Sequence, residues 1–395
     1  MNSIIKNSLG FKTDVPFRNK KALLIIGNGY DLSRGYPTRY TDFFNYLDGK
    51  IDNEIAVSLT NGTQASSISM IKKNYSIPDY NFAFNQLVNL LSLIQNKNLN
   101  FWYVYLKLKE LSDPTWSDVE TQIKLTLLDV NQSLIDTLNK RGIFYHLNLD
   151  RYKNKSLGFT LSCFLPTDTQ TNISIFSFLL DQLKLFEQSF RDYITHITLP
   201  DNIHQTDEQK EFEQKATHRL VGSNHTFDIS ILNFNYTSFP DSELTFTNQH
   251  QWNIHGAASS SNLIFGIDST GISPDSPIYR FTKTSRLMFA NLESSDPEVL
   301  SPDINSILFI GHSLSEADYS YFQSIFDYLS IYNNPVTLYF CYNEFHEDSP
   351  DIMEAYQLSI HSLLKKYGNT LDNVSHGDNL ISKLLLEHRL KMLFV

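Results

Sequence analysis

The apolar run Ala22-Leu23-Leu24-Ile25-Ile26 is entered from Lys20 and Lys21 and ends at Gly27-Asn28-Gly29. A run without polar alternation is the mark of a strand buried on both faces, as in a parallel sheet. From Thr38 the spacing turns helical through Phe43, Phe44 and Leu47, with Asp42 near the start, where a carboxylate opposes the helix dipole. Strand, glycine turn and helix in that order open an α/β fold.

Residues 80–95, 117–140 and 176–197 place apolar side chains three and four apart, and Asp113-Pro114 is a start signal for the second of these helices. Strand-like runs return at 227–234, 262–265, 306–310 and 336–341, and residues 316–329 read as the crossover helix of a βαβ unit. The expected organisation is a Rossmann-like, mostly parallel sheet built by residues 1–50 and 226–345. A large helical insertion at 51–225 interrupts it, and a C-terminal helical segment at 346–395 follows it.

Charge and composition narrow the function classes. With 32 Lys+Arg against 43 Asp+Glu, the net charge of -11 argues against nucleic-acid binding through a general basic surface, so any phosphate contact is local. At 41% hydrophobic and 19% charged residues the chain can bury a large core. Two cysteines, Cys163 and Cys341, are too few for a disulfide framework or paired C-x-x-C zinc knuckles, and fit a reducing compartment. No apolar run approaches the roughly 20 residues of a membrane span, and no signal core stands near the N-terminus, so the expectation is a cytoplasmic protein away from membranes.

Candidate chemistry begins at Gly27-Asn28-Gly29, where backbone amides and a helix dipole can hold a pyrophosphate. Leu32 stands where a dinucleotide fingerprint wants its third glycine, and no Lys-Ser/Thr follows as in a P-loop, so hydride transfer and ATP hydrolysis lose support. A tight turn without a ligand is the other reading of these glycines. Asn233-Phe234-Asn235-Tyr236-Thr237, Asn253-Ile254-His255-Gly256 and the segment from Gly311 to Asp318 are each placed at or just past a strand end, where open α/β sheets gather ligands. Gly311-His312-Ser313-Leu314-Ser315 nearly spells a nucleophile elbow but lacks its last glycine. A hydrolase built on Ser313 would draw on Asp351 and on His376 or His388. The absence of H-E-x-x-H, and of any other tight His/acid ligand spacing, gives a metal hydrolase less support still.

The segments 25–32 and 35–43, running Ile25-Ile26-Gly27-Asn28-Gly29-Tyr30-Asp31-Leu32 and Gly35-Tyr36-Pro37-Thr38-Arg39-Tyr40-Thr41-Asp42-Phe43, resemble the opening of the AbiH abortive-infection family of bacterial phage-defence proteins. Asn235-Tyr236-Thr237, His255-Gly256, Phe265-Gly266-Ile267-Asp268 and Gly311-His312-Ser313-Leu314 with Asp318-Tyr319 follow in that family's order, and Trp116-Ser117-Asp118-Val119-Glu120 also resembles a family motif. The same segments resemble, remotely, the NAD pocket of sirtuins. Gly27 and Gly29 match the turn glycines, with Asn28 and Asp31 beside them, and Gly35 and Pro37 match the loop, with Arg39 one position early. Asn235 and His255 match the catalytic pair, Thr237 stands where sirtuins carry Asp, and Gly311 and Ser313 fall on the adenosine side. The four-Cys zinc module is missing, so protein deacylation is not implied.

What the resemblance implies is hydrolysis of NAD, as substrate, to nicotinamide and ADP-ribose in infected cells, with a phage component as trigger. Breaking the nicotinamide-ribose bond expels a neutral group and leaves an oxocarbenium-like ribose, which needs charge stabilisation and a positioned water more than a strong acid. A histidine base and an asparagine amide suit that chemistry. A non-catalytic sensor that binds NAD or a related nucleotide is the alternative, and a homo-oligomer is left open.

Overall fold

The structure is a computed structural model of the 395-residue chain and describes residues 21–50, 99–112, 119–130, 174–199, 228–238, 248–260, 263–290, 298–342 and 350–394, with a few positions between 157 and 165. Six strands form one sheet: β1 (Lys21–Ile26), β2 (Asp228–Asn233), β3 (Asn248–Asn253), β4 (Ile304–Ile310), β5 (Thr337–Tyr342) and β6 (Leu390–Phe394). Their order is β3-β2-β1-β4-β5-β6, and every neighbouring pair is parallel. This is the order of a doubly wound α/β sheet. The helices are α1 (Asn28–Ser33), α2 (Tyr40–Lys50), α3 (Phe101–Ser112), α4 (Val119–Asp129), α5 (Ile175–Ile197), α6 (Lys283–Ala290), α7 (Tyr319–Leu329), α8 (Pro350–Gly368) and α9 (Val374–Leu386). None of the described helices is long and apolar enough to cross a membrane.

The chain divides into two compact units, one of Met1–Tyr36, Ile197–Ser259 and Ser294–Val395, the other of Pro37–His196 and Ser260–Glu293. The first holds the sheet. β1 is central, and its side chains are buried on both faces: Ala22, Leu24 and Ile26 join Ile229, Ile231, Leu308 and Ile310 on one of them. Elsewhere in the same unit Phe309 stacks on Phe340 at 4.6 Å and meets Phe322 and Phe326 of the crossover helix α7. The second unit is helical and aromatic. Leu179, Leu183, Phe186, Phe190 and Tyr193 recur at three and four along α5, and Phe43, Phe44 and Phe265 pack against that stripe.

Two expectations change. Residues 263–265 form no sheet strand: Phe265 is buried in the helical unit against Phe186, Phe190 and Tyr40. A short apolar run suits a buried loop as well as a strand. The sheet position is taken instead by β3, Asn-Gln-His-Gln-Trp-Asn, an edge strand held by backbone pairing to β2. The C-terminal segment at 346–395, expected to be helical, holds α8 and α9 and then β6, which pairs with β5. Most of the insertion expected at 51–225, including the helix at 80–95 and the residues Trp116 and Asp118, lies outside the described residues, as does Cys163.

Candidate functional site

The chain winds from β1 to β2 and β3 on one side and from β4 to β5 and β6 on the other, so its topological switch point lies beyond the carboxyl ends of β1 and β4. Gly27 follows β1 and Gly311 follows β4, and their backbones touch. The Gly27 amide donates to Ile310 O at 2.9 Å and the Gly29 amide to Gly311 O at 2.7 Å. A Cβ on Gly27 would stand 2.5 Å from His312 Cα, and one on Gly29 would stand 2.8 Å from Gly311 O. Gly311 has a φ of +62°, and a Cβ there would meet the Tyr30 amide at 2.2 Å. The three glycines therefore permit backbone-to-backbone contact, and the amides of Gly27 and Gly29 are spent on β4 instead of pointing at a ligand. Asn28 is exposed beside them.

Gly35 ends α1 in the left-handed region, φ +84°, after Arg34, whose guanidinium lies over the rings of Tyr30 and Tyr36. Pro37 and Arg39 belong to the helical unit. There the Pro37 carbonyl accepts from the Tyr193 hydroxyl. The Arg39 amide donates to Asp42 Oδ2 at 3.1 Å, which caps α2.

Beyond β2 a buried polar knot brings together four of the expected residues. Thr237 Oγ1 donates to Asp31 Oδ2 at 2.7 Å, and Asn235 Nδ2 donates to Gly27 O at 3.1 Å. Asn233 and Asn253 hold the turn from below: both side-chain amides reach Thr237 O at 2.8 Å, and that of Asn253 also reaches Asn235 O. Burial pushes the Asp31 carboxyl up to about 6, against the Thr237 hydroxyl, the Arg34 charge and the Asn235 amide, which pull it down. Thr237 thus has a carboxylic acid as its partner, supplied from α1.

His255, past the end of β3, is buried, with Nε2 3.5 Å from Asp318 Oδ1. The other oxygen of Asp318 lies 3.7 Å from His312 Nε2. His312 Nδ1 accepts the Leu314 amide at 2.9 Å, which places the proton of a neutral ring on Nε2, facing the carboxylate. That bond also helps hold Leu314 at φ +58°. The Phe234 ring presents an edge contact to both imidazoles, at 5.5 Å from His255 and 4.7 Å from His312. Phe234 is the neighbour of Asn235, so the carboxylate-imidazole cluster and the Asp31 knot share one short segment.

His312 and Asp318 were not among the site residues read from sequence, although both stand in the segment that carries Gly311 and Ser313. The signal available was a histidine and an acid flanking one turn at a strand end. Ser313 itself is exposed, and among the described residues no histidine is bonded to its hydroxyl. His388 stands two residues before the start of β6, and His376 stacks at 4.3 Å on Tyr332, which lies between α7 and β5. Both are at the edge where the parallel strands begin, opposite the edge where β4 ends and Ser313 follows, so neither serves as base for a Ser313 nucleophile.

A protein-family model, described as Bacteriophage abortive infection AbiH, matches residues 23–342. No curated protein matches the chain, and no solved structure matches it. The match runs from β1 through β5 and takes in the glycine contact, the Asp31 knot and the His255-Asp318-His312 cluster, and on that extent the chain belongs to the AbiH bacteriophage abortive infection family.

Proposed function

We propose that this phage-defence protein binds NAD at the switch point of its sheet and hydrolyses it to nicotinamide and ADP-ribose in the cytoplasm of infected cells. The observation that carries the reading is the gathering of His255, Asp318, Asn235 and Asp31 beyond the carboxyl ends of β1 to β4. The C1′-N bond breaks with its electron pair going to nicotinamide, and a water oxygen bonds to C1′. With the His255 proton on Nε2 toward Asp318, Nδ1 is the basic nitrogen that takes the water proton. Asn235 Nδ2 is committed to Gly27 O, so its Oδ1 is the atom that meets ribose hydroxyls or the water. Ser313, exposed beside this cluster, positions the adenosine side. The Gly27 and Gly29 amides are engaged with β4, so diphosphate contacts fall to other groups.

Purified protein incubated with NAD, with and without phage lysate, is expected to release nicotinamide, measured by chromatography. No turnover in either condition, together with unchanged NAD in infected cells, overturns the reading. A nucleotide-binding sensor without catalysis is the second reading, favoured by the commitment of the Asn235 amide to the fold. It predicts NAD binding by calorimetry with no nicotinamide released.

A further inference from the structure

The helical unit has a cleft of about 690 Å³ between α5 and the segment that contains α6, a volume in the range of small-molecule sites. Its charge opposes that of the chain. Among the described residues, Lys184, Arg191, Arg280 and Arg286 line it against one carboxylate, Glu187, in a protein with a net charge of -11. Arg286 clasps Glu187 through both guanidinium nitrogens, with Nη2 2.8 Å from Oε2, so that pair is internally matched. Among the described residues no close ion pair joins a carboxylate to Lys184, Arg191 or Arg280; the Lys184 charge acts on Glu187 across the cleft wall, and Arg280 meets the neutral hydroxyl of Ser177 at 3.2 Å.

The cleft wall is also built expensively. Glu187 Oε1 accepts the Phe265 amide at 2.7 Å and Glu120 Oε1 the Gly266 amide at 3.2 Å, while Glu120 Oε2 pairs with buried Lys283 at 2.8 Å. Burial raises the Glu187 pKa against the pull of Arg286 and the Phe265 amide. Two carboxylates thus pin the backbone just after Leu263 and Ile264, and a buried pair of this kind costs desolvation that a simple apolar wall would not. Glu120 and Phe265-Gly266 lie in motifs that the sheet site leaves without a role. At the cleft stands Phe289, 71% exposed, an aromatic face in water beside the cations.

We propose that this cleft is a second ligand site, for a nucleotide with several phosphates, bound by Lys184, Arg191 and Arg280 through its phosphates and by Phe289 through its base. The phosphate charge matches cations that form no close ion pair among the described residues, and the base supplies a flat partner for the ring. Occupancy of this site is separate from turnover at the sheet.

The test is calorimetric titration of the full chain with ATP, inorganic triphosphate and a short thymidine oligonucleotide. Lys184 and Arg280 are exposed, so Lys184→Gln with Arg280→Gln leaves the fold intact, checked by an unchanged melting curve. That double variant is expected to weaken ATP binding at least about tenfold, and Phe289→Ala to weaken ATP, but not triphosphate, by about tenfold. Unchanged ATP affinity in the double variant assigns the nucleotide to the sheet and overturns the proposal, as does the absence of ATP binding. Triphosphate binding as tightly as ATP, with no effect of Phe289→Ala, overturns it in favour of an unspecific polyanion patch. An oligonucleotide bound more tightly than ATP overturns it in favour of a single-strand groove.

Discussion

Asp31 is a carboxylic acid removed from water, with a pKa of about 6 in the folded chain against roughly 3.9 unfolded. The native state therefore binds its proton more tightly, and the stability this contributes is full below about pH 4 and lost as pH rises through about 6. Above that the penalty is on the order of 3 kcal/mol. In Asp31→Asn the penalty is gone, so urea unfolding should shift in the variant's favour, relative to the parent, by up to about 3 kcal/mol between pH 4 and 7. A difference that stays flat with pH would show a carboxyl that titrates as it does unfolded. Asp318 acts differently, through the rings it faces. Asp318→Asn should lower turnover of NAD about 10- to 100-fold with little change in KM, and nitrogen NMR should show a redistributed tautomer at His255 and His312. Unchanged tautomers would remove Asp318 from a positioning role. His255→Ala should lose about two to four orders of magnitude in turnover at unaltered NAD affinity.

At the scale of elements, β1 and β4 meet where they end, through glycines. Gly29→Ala places a methyl 2.8 Å from Gly311 O and forces backbone to move, a cost of about 1–3 kcal/mol that thermal unfolding should register as a lower melting temperature. Gly311→Ala should cost more, since its positive φ adds about 1–2 kcal/mol of backbone strain to the contact with Tyr30. A parent-like melting temperature for Gly29→Ala would return this turn to a direct role in ligand binding. The entry to β6 is tied to the sheet by a guanidinium as well as by backbone pairing: Arg389 Nη1 donates to Ile331 O at 2.6 Å, Asn334 O at 2.9 Å and Val336 O at 3.2 Å, stitching it onto the entry to β5. Arg389→Met keeps the aliphatic stem and strands those carbonyls, so a loss of about 2–4 kcal/mol is expected in denaturant unfolding. A loss under 1 kcal/mol would mean that water replaces the donor.

Across the whole molecule, a net charge of -11 coexists with a cationic cleft in the helical unit and a carboxylate-imidazole cluster in the sheet unit, so the two candidate sites differ in the ligand chemistry they suit. Infected cells carrying the parent protein should lose NAD, measured in extracts, while cells carrying His255→Ala should keep it. Loss in both would place NAD consumption elsewhere in the cell.

The apolar runs of β1, β2, β4 and β5 were legible because central strands of a parallel sheet meet hydrophobic neighbours on both faces, and burial writes that directly into side-chain identity. The motifs that follow β1, β2 and β4 were legible for the same reason, since each follows such a run. The edge strands were not. β3 is polar except for Trp252 and is held by backbone hydrogen bonds, which any residue but proline can make, and β6 is a run of only five residues, Leu-Lys-Met-Leu-Phe, behind two helices. Tertiary structure alone decided that the Gly27 and Gly29 amides face β4, that Asp31 stands beside Thr237, and that Asp318 meets two imidazoles from different strand ends. Each of these depends on the register and order in which distant strands pair, and a linear pattern of apolar and polar residues carries no record of which strand lies next to which.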